Sequence, residues 1–379
     1  MAIEQICNRC VLDSSVPGVS FDEQGICSHC RMHDNLDKKY PLNEQTQKKL
    51  IKLISKIKKK GKKSNYDCIV GLSGGVDSTY CLYMAKKLGL RPLAFNYDNG
   101  WVADIARQNI KNAVDKLQVD LKIIKPDWEE LKKYQRACLD ACIPESCLSC
   151  VVGVASASFQ LAAEENIKYI MLGTSFRTEG INPLRWHYVD GTYFNDIMKK
   201  FGKLDTAAKK FNQLTLPKLF YYMFIKGIRM FQLPLYVEYK DSYIMPFIEK
   251  ELGWKFGGRE HFDCTYKPLG AYFEKKSDRA LKKISLAAQV RSHEMTREDA
   301  LKKIKAGADA TIPPENLEYG MQRLGLTSDD VQRIVNSPPR TFLDFKTNYR
   351  WFSKLKWPIR ICCRLKLLPE TMYEKYFNV

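Results

Sequence analysis

At 379 residues, with 45% hydrophobic and 27% charged residues, the chain is long enough for two or three domains with cores of their own. A formal net charge of +18 favours anionic partners without choosing among RNA, nucleotide sugars, acidic lipid and acidic protein. No uninterrupted apolar run is long enough to cross a bilayer and no signal peptide opens the chain, so a cytoplasmic protein is expected, with its 13 cysteines as thiols and metal ligands rather than disulfides.

The first element is a pair of CxxC knuckles. Cys7 and Cys10 are separated from Cys27 and Cys30 by SSVPGVSFDEQG and its short flanks, a polar, turn-rich segment too small for its own core. Four thiolates at this spacing predict a structural zinc ribbon over 1–40, whose folding energy comes from the metal. The lysine-rich stretch 49–63 has helical apolar spacing and reads as a surface helix and linker.

Residues 66–72 form a short apolar run that predicts a buried parallel strand, and GLSGGVDST (71–79) follows it. Glycines let backbone N–H groups approach an anion that a Cβ would block, and a helix start adds unpaired donors. Strand, Ser73-Gly74-Gly75 turn and the helix opening at Asp77-Ser78-Thr79 together predict a phosphate cradle. The Walker and Rossmann patterns are both absent.

Three further strands are expected within 90–101, 119–127 and 167–180, with a helical pattern between each pair. That alternation predicts a parallel, doubly wound α/β sheet with ligands at the carboxyl ends of its strands. The rim would gather Ser73–Ser78, Asp98-Asn99-Gly100-Trp101 and Gly173–Gly180, and Glu179 is the carboxylate there that could hold magnesium. Between the third and fourth strands lie Cys138, Cys142, Cys147 and Cys150. Cys147-x2-Cys150, with Cys264 downstream, stands open to three readings: a second metal site, a [4Fe–4S] cluster with one iron free, or thiols at the mouth of the active site. Beyond 181 the alternation stops, and a mostly helical region over 186–379 is expected to shape the acceptor site. It includes KLFYYMFIKGIRMF (218–231) and a helix opened by the Thr296 cap of MTREDALKKI. The basic, aromatic segment 340–369 would pack as a helix, lie on an anionic membrane or dock a partner.

SGGxDS after a strand resembles the PP-loop of the ATP pyrophosphatases, which cleave ATP between the α and β phosphates. The resemblance implies that Ser73, Gly74, Gly75, Asp77 and Ser78 hold pyrophosphate, with Asp77 orienting the loop or binding magnesium. It also implies that Asp98 and Asn99 meet adenine, and that Gly173 and Thr174 approach ATP or the acyl substrate. A longer series of blocks resembles the N-acetyl sugar amidotransferases of bacterial surface-polysaccharide biosynthesis: CNRCVLDSSVPGVSFDEQGICSHC, IVGLSGGVDSTY, NYDNGW, GTSFRTEGINPLRW, FIKGIR, YVEYK, ELGWKFGGREHF, MTREDAL, LGL and NSPPR. This resemblance implies a ligase-type enzyme that adenylates the acetamido oxygen of an activated sugar and replaces it with ammonia. ATP, Mg2+ and Zn2+ are the implied cofactors. The ammonia source is a separate glutaminase with a cyclase-like subunit, the product goes to lipopolysaccharide O-antigen, and RNA is not expected as a partner. His261 is the implied substrate or acid/base residue. Two places depart from the pattern: ALKKISLA (280–287) lacks a histidine, and Cys264 stands where serine is expected. A tRNA thiolase using the PP-loop and the Cys147/Cys150/Cys264 site is the alternative.

Overall fold

The computed structural model describes residues 5–202, 214–258, 263–275, 281–308 and 312–377. Its centre is a five-stranded sheet in the order β3-β2-β1-β4-β5, all parallel. The strands are β1 (Cys68–Gly71), β2 (Pro92–Tyr97), β3 (Leu121–Ile124), β4 (Tyr169–Leu172) and β5 (Arg229–Gln232). The four strands expected from sequence are in place. The fifth is supplied from the stretch expected to be helical, where Arg229 enters β5 just after the π-helical turn Tyr221–Ile225.

Both faces of the sheet are covered, as parallel strands require. Val70 and Ala94 face one core with Leu50, Leu53, Ile54 and Ile57 of the helix α2 (Glu44–Gly61) and with Leu82 and Ala85 of α3 (Val76–Lys87). Thus α2 buries its apolar stripe while its lysines stay outside, so it is more deeply seated than a surface linker. Ile69, Leu93 and Phe95 face the opposite core, with Phe159 and Leu161 of the helix Leu148–Glu164 and with Ile359 and Cys363 from the C-terminal segment. The alternation of Cys68, Ile69 and Val70 between the two cores is the period-two signature of a strand buried on both sides.

The N-terminal ribbon does not sit apart. Cys7, Val11, Leu12 and Val16 pack with Trp186 and with Ile284, Ala287 and Ala300 of the C-terminal helices Leu281–Arg291 and Arg297–Ala308. The cap expected at Thr296 is present, with its hydroxyl accepting from the Asp299 N–H at 3.1 Å. No helix among the described residues is long and apolar enough to cross a membrane.

Candidate functional site

Strand order reverses between β1 and β4, so their carboxyl ends open a crevice at the switch point. The loop Leu72–Gly75 leaves β1 there and runs into α3, whose N-terminus follows Gly75. Gly74 has φ +86°, and a Cβ on it would lie 2.5 Å from the Ala106 carbonyl oxygen, so only glycine fits. Its own carbonyl is held by the indole N–H of Trp254 at 2.9 Å and by Asn109 Nδ2 at 3.2 Å. Asn96 Nδ2 donates to the Leu72 carbonyl at 2.8 Å. With these carbonyls tied back, the Ser73 and Gly75 N–H groups donate to the Ser78 and Ser73 hydroxyls at 3.2 and 3.3 Å. Ser73 and Ser78 sit with hydroxyls 3.2 Å apart on the exposed side.

Facing the loop is the end of β4. A Cβ on Gly173 would lie 2.8 Å from the Asp77 carbonyl oxygen, which is how closely α3 and β4 approach. This approach brings Glu179 close enough to feel the charge of Asp77. Burial raises Asp77 to about 6, against which the Tyr239 hydroxyl donates, while the charges of Asp241 and Asp263 push it higher. Glu179 remains open to solvent along part of its side chain, and desolvation at the loop end and then the Asp77 charge push its carboxyl above the usual range. Glu294 is lifted to about 7 by burial and then by Asp241. A polyphosphate entering beside these carboxyls would be repelled unless a cation stood between them. Hard oxygen donors at this spot suit magnesium. Asp77 and Glu179 are the residues that would hold it.

The other expected site residues divide. Thr174 lies at the rim with its hydroxyl accepting from Gln232 Nε2 at 3.0 Å. Asn99 donates to the Cys150 sulfur at 3.3 Å and caps the Trp101 N–H at 3.0 Å. Asp98 is already engaged: Arg107 grips it at 2.8 and 3.2 Å and holds its carboxyl below the ordinary range. Its visible role is to fix the end of β2. His261 lies outside the described residues. Tyr239, Trp254 and Asn109 are the residues the sequence reading missed. The first two lie in the YVEYK and ELGWKFGG blocks, but nothing local tells that they reach back to the loop.

A cavity of about 790 Å³ opens from the rim, a size suited to a nucleotide or drug-sized ligand. Thr174, Glu179, Asn99 and Lys267 supply polar groups at its wall, and Phe95, Val154, Phe159 and Ile170 make much of the rest apolar. Cys147, Cys150 and Cys264 all line it. Burial raises all three thiols, Cys264 to about 11. Among the described residues these three sulfurs do not form a tight ligand group. Cys147 instead neighbours Glu145 and Glu274, and Glu145 bonds His187 at 2.6 Å.

The ribbon cysteines do form such a group. All four sulfurs lie within 4.8 Å of one another, with Cys7–Cys30 at 3.8 Å and Cys10–Cys27 and Cys27–Cys30 at 3.6 Å. Tetrahedral zinc at ~2.3 Å from each sulfur sets sulfur–sulfur edges of about 3.8 Å. The Cys7 sulfur also accepts from the backbone N–H groups of Arg9, Cys10 and Cys27 at 3.3–3.4 Å, which suits a thiolate. Arg291 reaches the Cys10 sulfur at 3.6 Å. These residues fit zinc.

Residues 67–145, from β1 through the end of the third βα unit, match the family Queuosine biosynthesis protein QueC, whose domain is of the PP-loop ATP pyrophosphatase type. Residues 272–356 match the family LPS biosynthesis protein WbpG-like, C-terminal domain. No curated protein matches the chain. The second match covers the helices that close over the rim, where Arg323 donates to the Gly100 carbonyl at 2.8 Å and stacks on Trp101 and Trp128. A domain similar to the PP-loop ATP pyrophosphatases, the fold of an ATP-using enzyme, thus runs in one polypeptide into a C-terminal region that is similar to the WbpG-like C-terminal domain and folds back on the nucleotide rim.

Proposed function

We propose that the protein is an ATP-dependent amidotransferase of lipopolysaccharide O-antigen biosynthesis. It adenylates the acetamido oxygen of a nucleotide-activated sugar and replaces that oxygen with ammonia, giving an acetamidino sugar, AMP and pyrophosphate. The observation that carries this is the joining of a WbpG-like region to the PP-loop rim, with a cavity of about 790 Å³ beside Thr174 and Glu179. An amide oxygen is a poor leaving group and AMP a good one, so the ATP is spent on activation. The protein's share is positioning and charge stabilisation.

In this reading Ser73, Ser78 and the backbone N–H groups around Gly74 and Gly75 hold the pyrophosphate. Asp77 and Glu179 would hold magnesium, which would shield the phosphates. Asn99, Gly173 and Thr174 border the adenylate, and Asp98 acts through Arg107 on the β2 turn. His261 is kept as the substrate or acid/base contact. The division is a zinc ribbon (1–40), a PP-loop domain (41–185) and an acceptor region (186–379) that lends β5 to the sheet. Ammonia comes from a glutaminase with a cyclase-like subunit, and the enzyme works in the cytoplasm, peripheral to the inner face of the membrane.

The test supplies Mg-ATP and ammonium with a panel of nucleotide-activated acetamido sugars and reads products by mass spectrometry. A sugar that exchanges a carbonyl oxygen for NH, with one AMP per turnover, is the expected result. Release of AMP with no sugar converted sinks the reading. One observation favours a second: Cys147, Cys150 and Cys264 line the same cavity, as a tRNA thiolase carrying a [4Fe–4S] cluster would require. Iron and labile sulfide in anaerobically purified protein, with AMP release stimulated by tRNA, would move the assignment there.

A further inference from the structure

Two segments distant in sequence come together at the β5 edge of the sheet. The Met230 N–H donates to the Lys366 carbonyl at 3.2 Å, and Arg229 bonds the Leu365 carbonyl. Met223 and Ile228 from the first segment share a core with Ile359, Cys363 and Leu367 from the second. The surfaces turned away from that core are unusual.

In the helix Lys356–Arg364, Ile359 and Cys363 point inward. Trp357, Ile361 and Leu365 follow at four-residue spacing and are exposed, Trp357 at 74%. Lys356, Arg360 and Arg364 form a parallel exposed stripe beside them. One turn earlier Trp351 is 71% exposed, flanked by Arg350 and Lys354. On the neighbouring segment Phe220 and Phe224 stack in the open at 4.6 Å, and Ile225 is 69% exposed. Residues 214–235 carry three basic side chains and residues 345–369 seven, and neither stretch contains an acid. Among the described residues, Arg350, Lys354, Lys356, Arg360 and Arg364 make no ion pair with the rest of the protein.

We infer that residues 214–230 and 349–365 form a face that docks on an anionic lipid bilayer. Exposed tryptophans beside unpaired cations are the signature of a surface that buries rings at headgroup level while its charges meet acidic lipid. An acidic protein would neutralise the cations but would not need Trp351, Trp357, Phe224 and Ile225 all left exposed. A spanning helix is not needed for this contact. The first segment also walls the cavity through Leu219 and Met230, and the chain just beyond the second does so through Leu368 and Met372. Docking therefore sets the acceptor cavity close to the lipid surface. This deepens the peripheral location proposed above and stands whether or not the reaction is amidination.

The test is sedimentation of the full-length protein with extruded vesicles. One set is phosphatidylcholine alone and the other contains phosphatidylglycerol, each at low and high salt. Two exposed-surface variants accompany it: Trp351→Ser/Trp357→Ser and Lys354→Glu/Lys356→Glu/Arg360→Glu, with circular dichroism as the check on folding. Binding to the anionic vesicles that falls with salt, and drops at least about tenfold in each variant, is expected. Tryptophan emission should shift to the blue on binding in wild type and not in the tryptophan variant. Failure of the wild type to bind anionic vesicles overturns the proposal, as does binding that the tryptophan variant retains in full. Turnover of a water-soluble nucleotide sugar without vesicles should be unchanged in both variants, which separates this result from the fate of the amidination reading.

Discussion

The hydroxyl of Tyr239 donates to the carboxyl of Asp77 at the start of α3, and the charge of Asp77 acts in turn on Glu179 beyond the end of β4. Burial raises Asp77 from 3.8 to about 6, and desolvation and then the Asp77 charge push Glu179 upward as well. The folded protein therefore binds more protons than the unfolded chain from about pH 4 upward, and stability falls as pH rises through that window. For Asp77 alone the shift corresponds to about 3 kcal/mol lost by pH 7. Asp77→Asn should be more stable than wild type at pH 7, lose that advantage by pH 4, and be inactive with Mg-ATP. Thermal melts of both proteins from pH 4 to 8 decide it. A wild-type melting temperature that rises relative to the variant as pH increases would contradict the raised Asp77 carboxyl.

Gly74→Ala should abolish ATP cleavage. The new Cβ must clear the Ala106 carbonyl at 2.5 Å from a φ of +86°, so the loop moves and its bonds from Trp254 and Asn109 break. The expected loss in AMP formation is at least about a hundredfold, with a melting temperature lowered by a few degrees. Near-normal turnover would show that the loop does not hold the reacting phosphates.

Removing zinc should unfold more than the ribbon. Purified protein should contain one zinc per chain, bound by the Cys7, Cys10, Cys27 and Cys30 group. Chelation, or Cys27→Ser, should lower the melting temperature by roughly 10 °C or more, because binding energy at such a site is folding energy. Protection from limited proteolysis should fall around 284–300 as well, where the ribbon packs. Loss confined to the first forty residues would refute that coupling.

The triple replacement Cys147→Ser/Cys150→Ser/Cys264→Ser separates the two functional readings. An amidotransferase should keep at least about a third of its turnover, since sulfur and oxygen differ little in size at a cavity wall. A thiolase should lose all product. Assay of AMP with each acceptor reads the difference.

The sheet was legible because Cys68–Gly71 and Tyr169–Leu172 are apolar runs bounded by glycines. The loop was legible because Gly74 and Gly75 precede a helix start. β5 was not, since its four residues Arg-Met-Phe-Gln mix charge with apolar character and follow directly on a π-helical turn. The partners of the loop were hidden for a different reason. Tyr239 bonds Asp77 across 162 positions and Trp254 bonds Gly74 across 180, distances over which no local pattern carries information. Asp98 shows the converse: the residue was visible, but its engagement by Arg107, nine positions on, was not.

Arg297 donates to the carbonyls of Cys7 and Cys10 at 3.0 Å, across 290 and 287 positions, and Arg291 reaches the Cys10 sulfur across 281. The knuckle is thus synthesised some 281–290 residues ahead of the partners that it packs against. At ~5–20 residues per second the interval between them is roughly 15–60 s. Metal capture and burial of the captured metal are therefore separate events in the life of the molecule, and for that interval the sulfurs are open to exchange, oxidation or a competing ion. A shortage of zinc in the growing cell would be felt at this early stage, before the nucleotide fold is complete.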